Sequence, residues 1–198
     1  VDVHFLMGGT SANLIALSAF LRPHEAVVCA QTAHINVHEA GAIEATGHKI
    51  LPVSAPEGKL GPAQIDAIVQ AHTDDHMVKP RLVFISNATE LGTHYTRQEL
   101  YALRAHCDRL GLLLYLDGAR LGNALAASDV AWPDLAACCD AFYIGGTKNG
   151  ALIGEAMVLV NPALRADFRY GIKQRGGMLA KGFLLGLQFQ ALLEDGLY

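Results

Sequence analysis

An α/β fold built on a mostly parallel, seven-stranded sheet with helices on both faces is what this sequence predicts, and three observations predict it. Short apolar runs alternate with helical patterns along the whole chain, as they do where strands are joined by crossover helices. Most of these runs are nearly continuous in apolar residues, as expected of strands covered on both sides. The clearest helix shows a single apolar stripe: over Arg97–Leu110, residues Leu100, Leu103, Cys107 and Leu110 recur at three- and four-residue steps.

The elements follow in order. Val3–Met7 is the first strand, and a helix runs from Ser11 to about Leu21, where Pro23 stops it. Ala26–Ala30 is the second strand, followed by a helix near Val37–Thr46 that Gly47 closes, then the strand Lys49–Val53. The polar, irregular stretch His72–Lys79 reads as a surface loop before the strand Arg81–Ser86. Gly111 ends the helix Arg97–Leu110, and the strands Leu112–Leu116, Ala141–Ile144 and Ala156–Val160 complete the set. Beyond Pro162 the character changes: Asp167–Arg175 is charged and aromatic, and Met178–Leu193 reads as a long apolar helix containing Gly182 and Gly186. Residues 1–165 are therefore expected to form a large domain, and 166–198 to begin a helical connection leading away from it. Because the chain starts with Val1 rather than Met, runs almost at once into a strand and stops at Tyr198 just after a helix, it is expected to be a fragment.

Composition narrows the function classes. The 198 residues carry 15 Lys plus Arg against 19 Asp plus Glu, a net charge of −4, with 52% hydrophobic and 17% charged residues. That mix excludes a disordered segment and gives no reason to expect nucleic acid or an anionic membrane as a partner. No apolar run approaches the roughly 18 residues needed to cross a bilayer. An amphipathic stripe on Met178–Leu193 suits packing against another domain or subunit better than a membrane surface. The four cysteines, Cys29, Cys107, Cys138 and Cys139, form no CxxC pair and no zinc-ligand spacing. They read as buried free thiols of a reducing, cytoplasmic compartment, and no secretory leader precedes the first strand. His34 and His38 are four apart and His72 and His76 flank Asp74 and Asp75, but nine histidines make such pairs common, and no metal site is expected.

In open α/β sheets, ligands bind beyond the carboxyl ends of the strands. After the first strand comes Gly8-Gly9-Thr10-Ser11-Ala12-Asn13, which is either an anion cradle at a helix N-terminus or an ordinary Ser/Thr cap after a turn. No GxxxxGK[ST] or GxGxxG motif is present there. After Leu112–Leu116 comes Asp117-Gly118-Ala119-Arg120; a strand-end carboxylate must meet a cation or donors, unless it simply caps the next helix. After Ala141–Ile144 comes Gly145-Gly146-Thr147-Lys148-Asn149-Gly150, where the lysine is either solvated in a turn or has room beside it for a bound group. Together, the three are what a pyridoxal phosphate site requires: a phosphate cradle, a carboxylate for the ring nitrogen, and an amine for the aldehyde.

The sequence resembles the threonine aldolase and β-eliminating lyase family of pyridoxal phosphate enzymes, of the aspartate aminotransferase-like fold (fold type I), over nearly its whole length. The resemblance is carried by Gly9-Thr10-Ser11-Ala12-Asn13, by Ala33-His34 followed by His38-Glu39-Ala40-Gly41, by Leu116-Asp117-Gly118-Ala119-Arg120, and by Lys148. It implies that the large domain binds pyridoxal phosphate, with Gly9 and Thr10 on the phosphate, His34 stacked on the pyridine ring, and Asp117 on its nitrogen. Lys148 would hold the cofactor aldehyde, Arg120 would take the substrate carboxylate in a bidentate fork, and Lys173 would lie close to the phosphate, its own or that of a neighbouring subunit. The implied activity is cleavage of a threonine-like β-hydroxy amino acid to glycine and an aldehyde, by Lys148, His34 and Asp117. The alternatives are β-elimination or other chemistry at Cβ, or an inactive truncated unit for cofactor binding or dimerisation. The proton acceptor for the β-hydroxyl stays open between His34, another group and water. Glu90, in Asn87-Ala88-Thr89-Glu90, stands where many threonine aldolases place a histidine that helps recognise the substrate hydroxyl, so it is expected to bear on substrate choice. The family's C-terminal domain, with a second carboxylate-binding arginine, and its N-terminal segment are expected to be missing here. A homodimer or homotetramer is implied by the same resemblance.

Overall fold

The computed structural model describes residues 1–198. Seven strands form one sheet: β1 (Asp2–Leu6), β2 (Glu25–Ala30), β3 (Lys49–Val53), β4 (Lys79–Ser86), β5 (Leu113–Asp117), β6 (Ala141–Gly145) and β7 (Glu155–Leu159). Their spatial order is β1-β7-β6-β5-β4-β2-β3. The pairings from β3 through to β6 are parallel, whereas β7 runs antiparallel to both β6 and β1. The sheet is thus mostly parallel, as predicted. Eight helices cover it: α1 (Gly9–Phe20), α2 (His34–Val37), α3 (Pro62–Ala71), α4 (Arg97–Leu110), α5 (Leu121–Ala127), α6 (Trp132–Cys138), α7 (Phe168–Gln174) and α8 (Phe183–Glu194).

The two-residue period of each strand sorts its side chains between two cores. Val27, Leu82, Phe84, Leu113, Tyr115, Tyr143 and Met157 face α1 and α7, packing with Ile15, Leu17, Phe20, Phe168 and Ile172. Their neighbours Val83, Ile85, Leu114, Leu116, Phe142 and Val158 face the other way, onto Ile65, Leu100, Leu103, Cys107, Leu121 and Leu135 of α3 to α6. The same parity puts Asp117 on the α1 side, beneath Tyr115 in the strand. That placement builds the site.

Local chemistry fixes the ends of α4. Thr96 accepts from the Glu99 N–H at 3.2 Å while the Glu99 carboxylate accepts from the Thr96 N–H at 2.7 Å, a reciprocal cap. Gly111 closes the helix in the left-handed region at φ 66°.

The structure departs from the sequence reading in two helical segments. The predicted helix Val37–Thr46 is a single turn, α2, followed by a tight reversal through Ala40 (φ 50°) and Gly41 (φ 72°) and a short 3₁₀ turn at Glu44–Thr46. The reversal turns Glu39 inward, where it bonds two polar side chains that a continuing helix would leave unmet. In the C-terminal segment α8 begins only at Phe183, and α7 precedes it. α7 packs on α1, where Phe168 stacks on Phe20 with ring centroids 5.6 Å apart, and α8 packs on β1, where Phe189 stacks on Phe5 at 5.5 Å.

Candidate active site

A cavity of about 250 Å³ opens at the carboxyl ends of the central strands, lined among others by Gly9, Thr10, His34, Glu90, Asp117, Arg120 and Lys148. The fold therefore brings together every residue singled out from the sequence except Lys173, which lies exposed on α7 beside Ser18 and Ala19. Lys173 reaches no atom of this cleft within the chain.

Helix α1 starts at Gly9 with Gly8 as its cap, and no side chain caps it. The first-turn N–H groups of Gly9, Thr10 and Ser11 have no intrahelical acceptor, and Gly8, Gly9 and Thr10 line the cavity, so this helix start is one that favours an anion. Gly9 is needed for a second reason: a Cβ there would meet the Tyr143 hydroxyl at 2.9 Å. That hydroxyl is already committed, because it donates to Asp117 Oδ1 at 2.5 Å.

Asp117 is only 3% exposed, yet neutral donors alone hold it. Oδ1 also accepts the Ala119 N–H at 2.9 Å, and Oδ2 accepts Asn13 Nδ2 at 3.0 Å. Burial keeps the phenols of Tyr143 and Tyr115 far above their usual range, so both act as O–H donors. A carboxylate with spare lone pairs, facing a cavity without a cationic partner, fits the protonated ring nitrogen of pyridoxal phosphate. Lys148 and Arg120 take part in none of the chain's ion pairs, so both cations are free for a ligand. The residues present fit the cofactor.

Behind the cavity lies a network that sequence reading missed. Asn13, fully buried, spends one amide N–H on Asp117 and the other on Glu39 Oε1 at 2.8 Å, and its Oδ1 accepts Tyr115 at 3.1 Å. Glu39 Oε1 also meets His34 Nδ1 at 2.9 Å. The His34 imidazole and the Asp117 carboxylate are therefore linked through Glu39 and Asn13. Burial raises the Glu39 carboxyl above its ordinary range, while the bonds from His34 and Asn13 pull it back down. The signal in the sequence was parity: Tyr115 and Asp117 share a strand face, and Asn13 lies one turn inside the helix that covers it.

Glu90 is placed by the backbone it serves. Its Oε1 accepts the His34 N–H at 3.0 Å and the Ser86 hydroxyl at 2.7 Å, which ties the β4 loop to the start of α2. Glycine makes the Asp117-Gly118-Ala119-Arg120 turn possible: a Cβ on Gly118 would sit 1.8 Å from the Tyr143 carbonyl oxygen. A second carboxylate missed from the sequence, Glu155, also lines the cavity, and burial pushes it up to about 7.

Residues 2–195 match the family described as beta-eliminating lyase. The low specificity L-threonine aldolase of Pseudomonas sp. (strain NCIMB 10558) is 41% identical over 98% of this chain and 58% of its own length. That of Pseudomonas aeruginosa is 40% identical over 98% of this chain and 57% of its own. The solved threonine aldolase of Leishmania major superposes with a TM-score of 0.98 at 52% identity, covering 99% of this chain and 58% of that one. More distant in sequence, cystalysin from Treponema denticola, whose structure contains pyridoxal 5'-phosphate, shares the fold with a TM-score of 0.72 at 13% identity, over 98% of this chain and 51% of that one. The chain spans a little under three fifths of the length of its curated relatives. Its sheet is that of fold type I, the cleft fits pyridoxal phosphate, and the chain belongs to the beta-eliminating lyase family of pyridoxal phosphate enzymes.

Proposed function

We propose that this chain carries the cofactor-binding large domain of a carbon–carbon lyase, cleaving threonine-like β-hydroxy amino acids to glycine and an aldehyde. The observation that carries the reading is Asp117: a buried carboxylate fixed only by neutral donors, facing the cavity that also holds Lys148 and Arg120. Pyridoxal phosphate supplies, when bound, a sink for the electron pair released from the Cα–Cβ bond.

The rest is done by the chain's own groups. Gly9 and Thr10 offer backbone N–H groups and a hydroxyl to the phosphate, and Lys148 offers its amine to the aldehyde. His34, which lines the cavity, would pack against the bound cofactor. Asp117 would favour a protonated ring nitrogen there, because its charge is uncompensated by any cation of the chain. Arg120 receives the amino-acid carboxylate as a two-pronged donor. His34 lines the cleft with Nδ1 against Glu39, and in the tautomer that carries its proton on Nδ1 the free Nε2 is the acceptor suited to take the β-hydroxyl proton. Glu90, joined to the His34 backbone, offers a second acceptor at the position that selects the substrate's β-substituent. Lys173 lies outside this cleft, and the role proposed for it is at the phosphate of a neighbouring subunit in a homodimer or homotetramer. No helix is long and apolar enough to cross a membrane, and a cytoplasmic enzyme is the proposed setting.

The test is a covalent trap followed by product analysis. Borohydride reduction of the chain mixed with pyridoxal phosphate should label Lys148 selectively, and Lys148→Ala should abolish the label while leaving the fold intact. Scattered labelling of surface lysines on a folded chain would overturn the site. A chain extended to the relatives' full length should turn threonine into glycine and acetaldehyde; ammonia plus a keto acid would instead identify β-elimination.

A further inference from the structure

Glu39 is a carboxyl group that the packing of the chain does not require. Its side chain is wholly buried, and no arginine or lysine forms an ion pair with it. Left-handed backbone at Ala40 (φ 50°) and Gly41 (φ 72°) follows it directly and turns the segment back. Of its two oxygens, Oε2 has no hydrogen-bond partner. Oε1 makes every contact, accepting the Asn13 amide N–H at 2.8 Å and meeting His34 Nδ1 at 2.9 Å.

His34 is held at two points by two carboxyl groups. Glu90 Oε1 accepts its backbone N–H at 3.0 Å, and Glu39 meets its ring. The other ring nitrogen, Nε2, makes no hydrogen bond within the chain, and the residue lines the cavity with 29% of its side chain exposed. Which nitrogen of an imidazole carries the proton is set by the bond that the other one makes.

We infer that Glu39 is a positioning residue for His34, holding the imidazole with its proton on Nδ1 and leaving Nε2 as the ring's free acceptor. This deepens the function proposed above and rests on His34 belonging to the cofactor cleft.

The neighbours decide where the proton sits. Asn13 cannot turn its amide over, because its Oδ1 accepts the Tyr115 hydroxyl at 3.1 Å and its Nδ2 also donates to Asp117 Oδ2 at 3.0 Å. An N–H therefore points at Glu39 Oε1, and that oxygen is already an acceptor. Where burial leaves the carboxyl protonated, its own proton belongs on Oε2, the oxygen that no donor occupies. In either charge state Oε1 is left to accept from Nδ1–H. The competing arrangement, an Oε1–H donated to Nδ1, would move the ring proton to Nε2. An unconstrained histidine also prefers its proton on Nε2, so the tautomer reports directly on this contact.

Nitrogen-15 NMR of the histidine-labelled 198-residue chain reads the tautomer without cofactor. At about pH 9, above the ordinary imidazole range, a ring nitrogen bearing a proton and one bearing a lone pair resonate apart. His34 is identified among the nine histidines by the signals lost in His34→Gln. In the wild-type chain the Nδ1–H form should exceed the Nε2–H form by about tenfold or more, the range of a hydrogen bond to a charged group. Glu39→Ala should reverse that preference, and Glu39→Gln, whose amide oxygen can accept from both Asn13 and His34, should restore it. Thermal unfolding shows that each variant is folded. A wild-type ring protonated on Nε2 would overturn the inference. So would an unchanged ratio in Glu39→Ala, since Glu39 would then only brace the reversal at Ala40 against α1. If Glu39→Ala does not fold, the wild type and Glu39→Gln decide: Nδ1–H in both supports the assignment, and Nε2–H in either refutes it. The borohydride trap with pyridoxal phosphate is run on the same wild-type chain. Labelling of a lysine other than Lys148 would sink the cofactor site, whichever tautomer His34 holds.

Discussion

Replacing Asn13 by alanine would break the link between the two halves of the site. Asn13 is fully buried and makes hydrogen bonds to Glu39 at 2.8 Å, to Asp117 at 3.0 Å and from Tyr115 at 3.1 Å. Hydrogen bonds to charged partners contribute about 1.5–3 kcal/mol each and a neutral one about 1. The three do not simply add, because removing the amide also removes its own desolvation cost and makes room for water. Asp117 would keep its bonds from Tyr143 and Ala119, whereas Glu39 would keep only His34. We therefore expect Asn13→Ala to lose about 3 kcal/mol at neutral pH, equivalent to a fall in Tm of roughly 6–12 °C for a chain of this size.

The loss should depend on pH in a defined direction. Burial already holds the Glu39 carboxyl above its ordinary range, so near that range the native state binds more protons than the unfolded one. Stability contributed by such a group is present below the unfolded pKa and falls as pH rises through the folded value. The Asn13 amide favours the ionised form, and its removal moves the folded value higher still. The deficit of Asn13→Ala should consequently be smaller near pH 5 than near pH 8. Urea unfolding at both pH values measures it. A deficit below about 1 kcal/mol, or one equal at the two pH values, would refute the claim that this amide holds two buried carboxylates.

Two further predictions rest on packing and burial. Gly118→Ala places a methyl 1.8 Å from the Tyr143 carbonyl oxygen, in backbone that cannot move without parting β5 from β6. It should cost more than about 3 kcal/mol or leave the chain insoluble. Gly8→Ala, with nothing within 4 Å, should stay within about 1 kcal/mol of wild type; soluble yield and urea midpoints compare the two. All four cysteines are buried, with burial pushing Cys29 and Cys107 up to about 12 and Cys138 to about 11. Ellman's reagent near pH 8 should find no fast thiol in the folded chain and four after unfolding, and a fast thiol in the native state would contradict that burial.

Strands and their ends were legible because apolar runs under two-sided cover are a compositional signal. Val83 to Ile85 and Leu114 to Leu116 can hardly be anything else. The direction of β7 was not legible, since an apolar run carries no polarity; only the short turn 146–154 forces the antiparallel return. Asp117, Lys148 and Gly9 stood out as polar or small residues directly after strands. The role of Asn13, and those of Tyr115 and Tyr143, did not, because an amide one turn inside a helix and tyrosines in strands are ordinary there. Glu39 was hidden by a helical pattern that its own inward turn interrupts. Glu155 was overlooked because it stands at the boundary of the run Ala156–Leu159. What the sequence lacks in each case is the third dimension, the strand parity and helix overlap that make these side chains meet.

That meeting explains a choice of chemistry at Asp117. An arginine would hold the carboxylate more firmly than a phenol, an amide and a backbone N–H, but it would also cancel its charge. Neutral donors orient the group and leave its field intact. The buried tyrosines suit this because burial keeps them protonated, so they donate at any physiological pH. The cations of the cleft are kept apart from its buried acids in turn: Arg120 and Lys148 bind no protein carboxylate. A folded chain gains nothing from separating charges in this way, since an isolated buried carboxylate is destabilising. The arrangement is one that a ligand completes. An anionic phosphate, a protonated ring and a substrate carboxylate would together neutralise the cleft, so binding the cofactor should stabilise the fold as well as arm it.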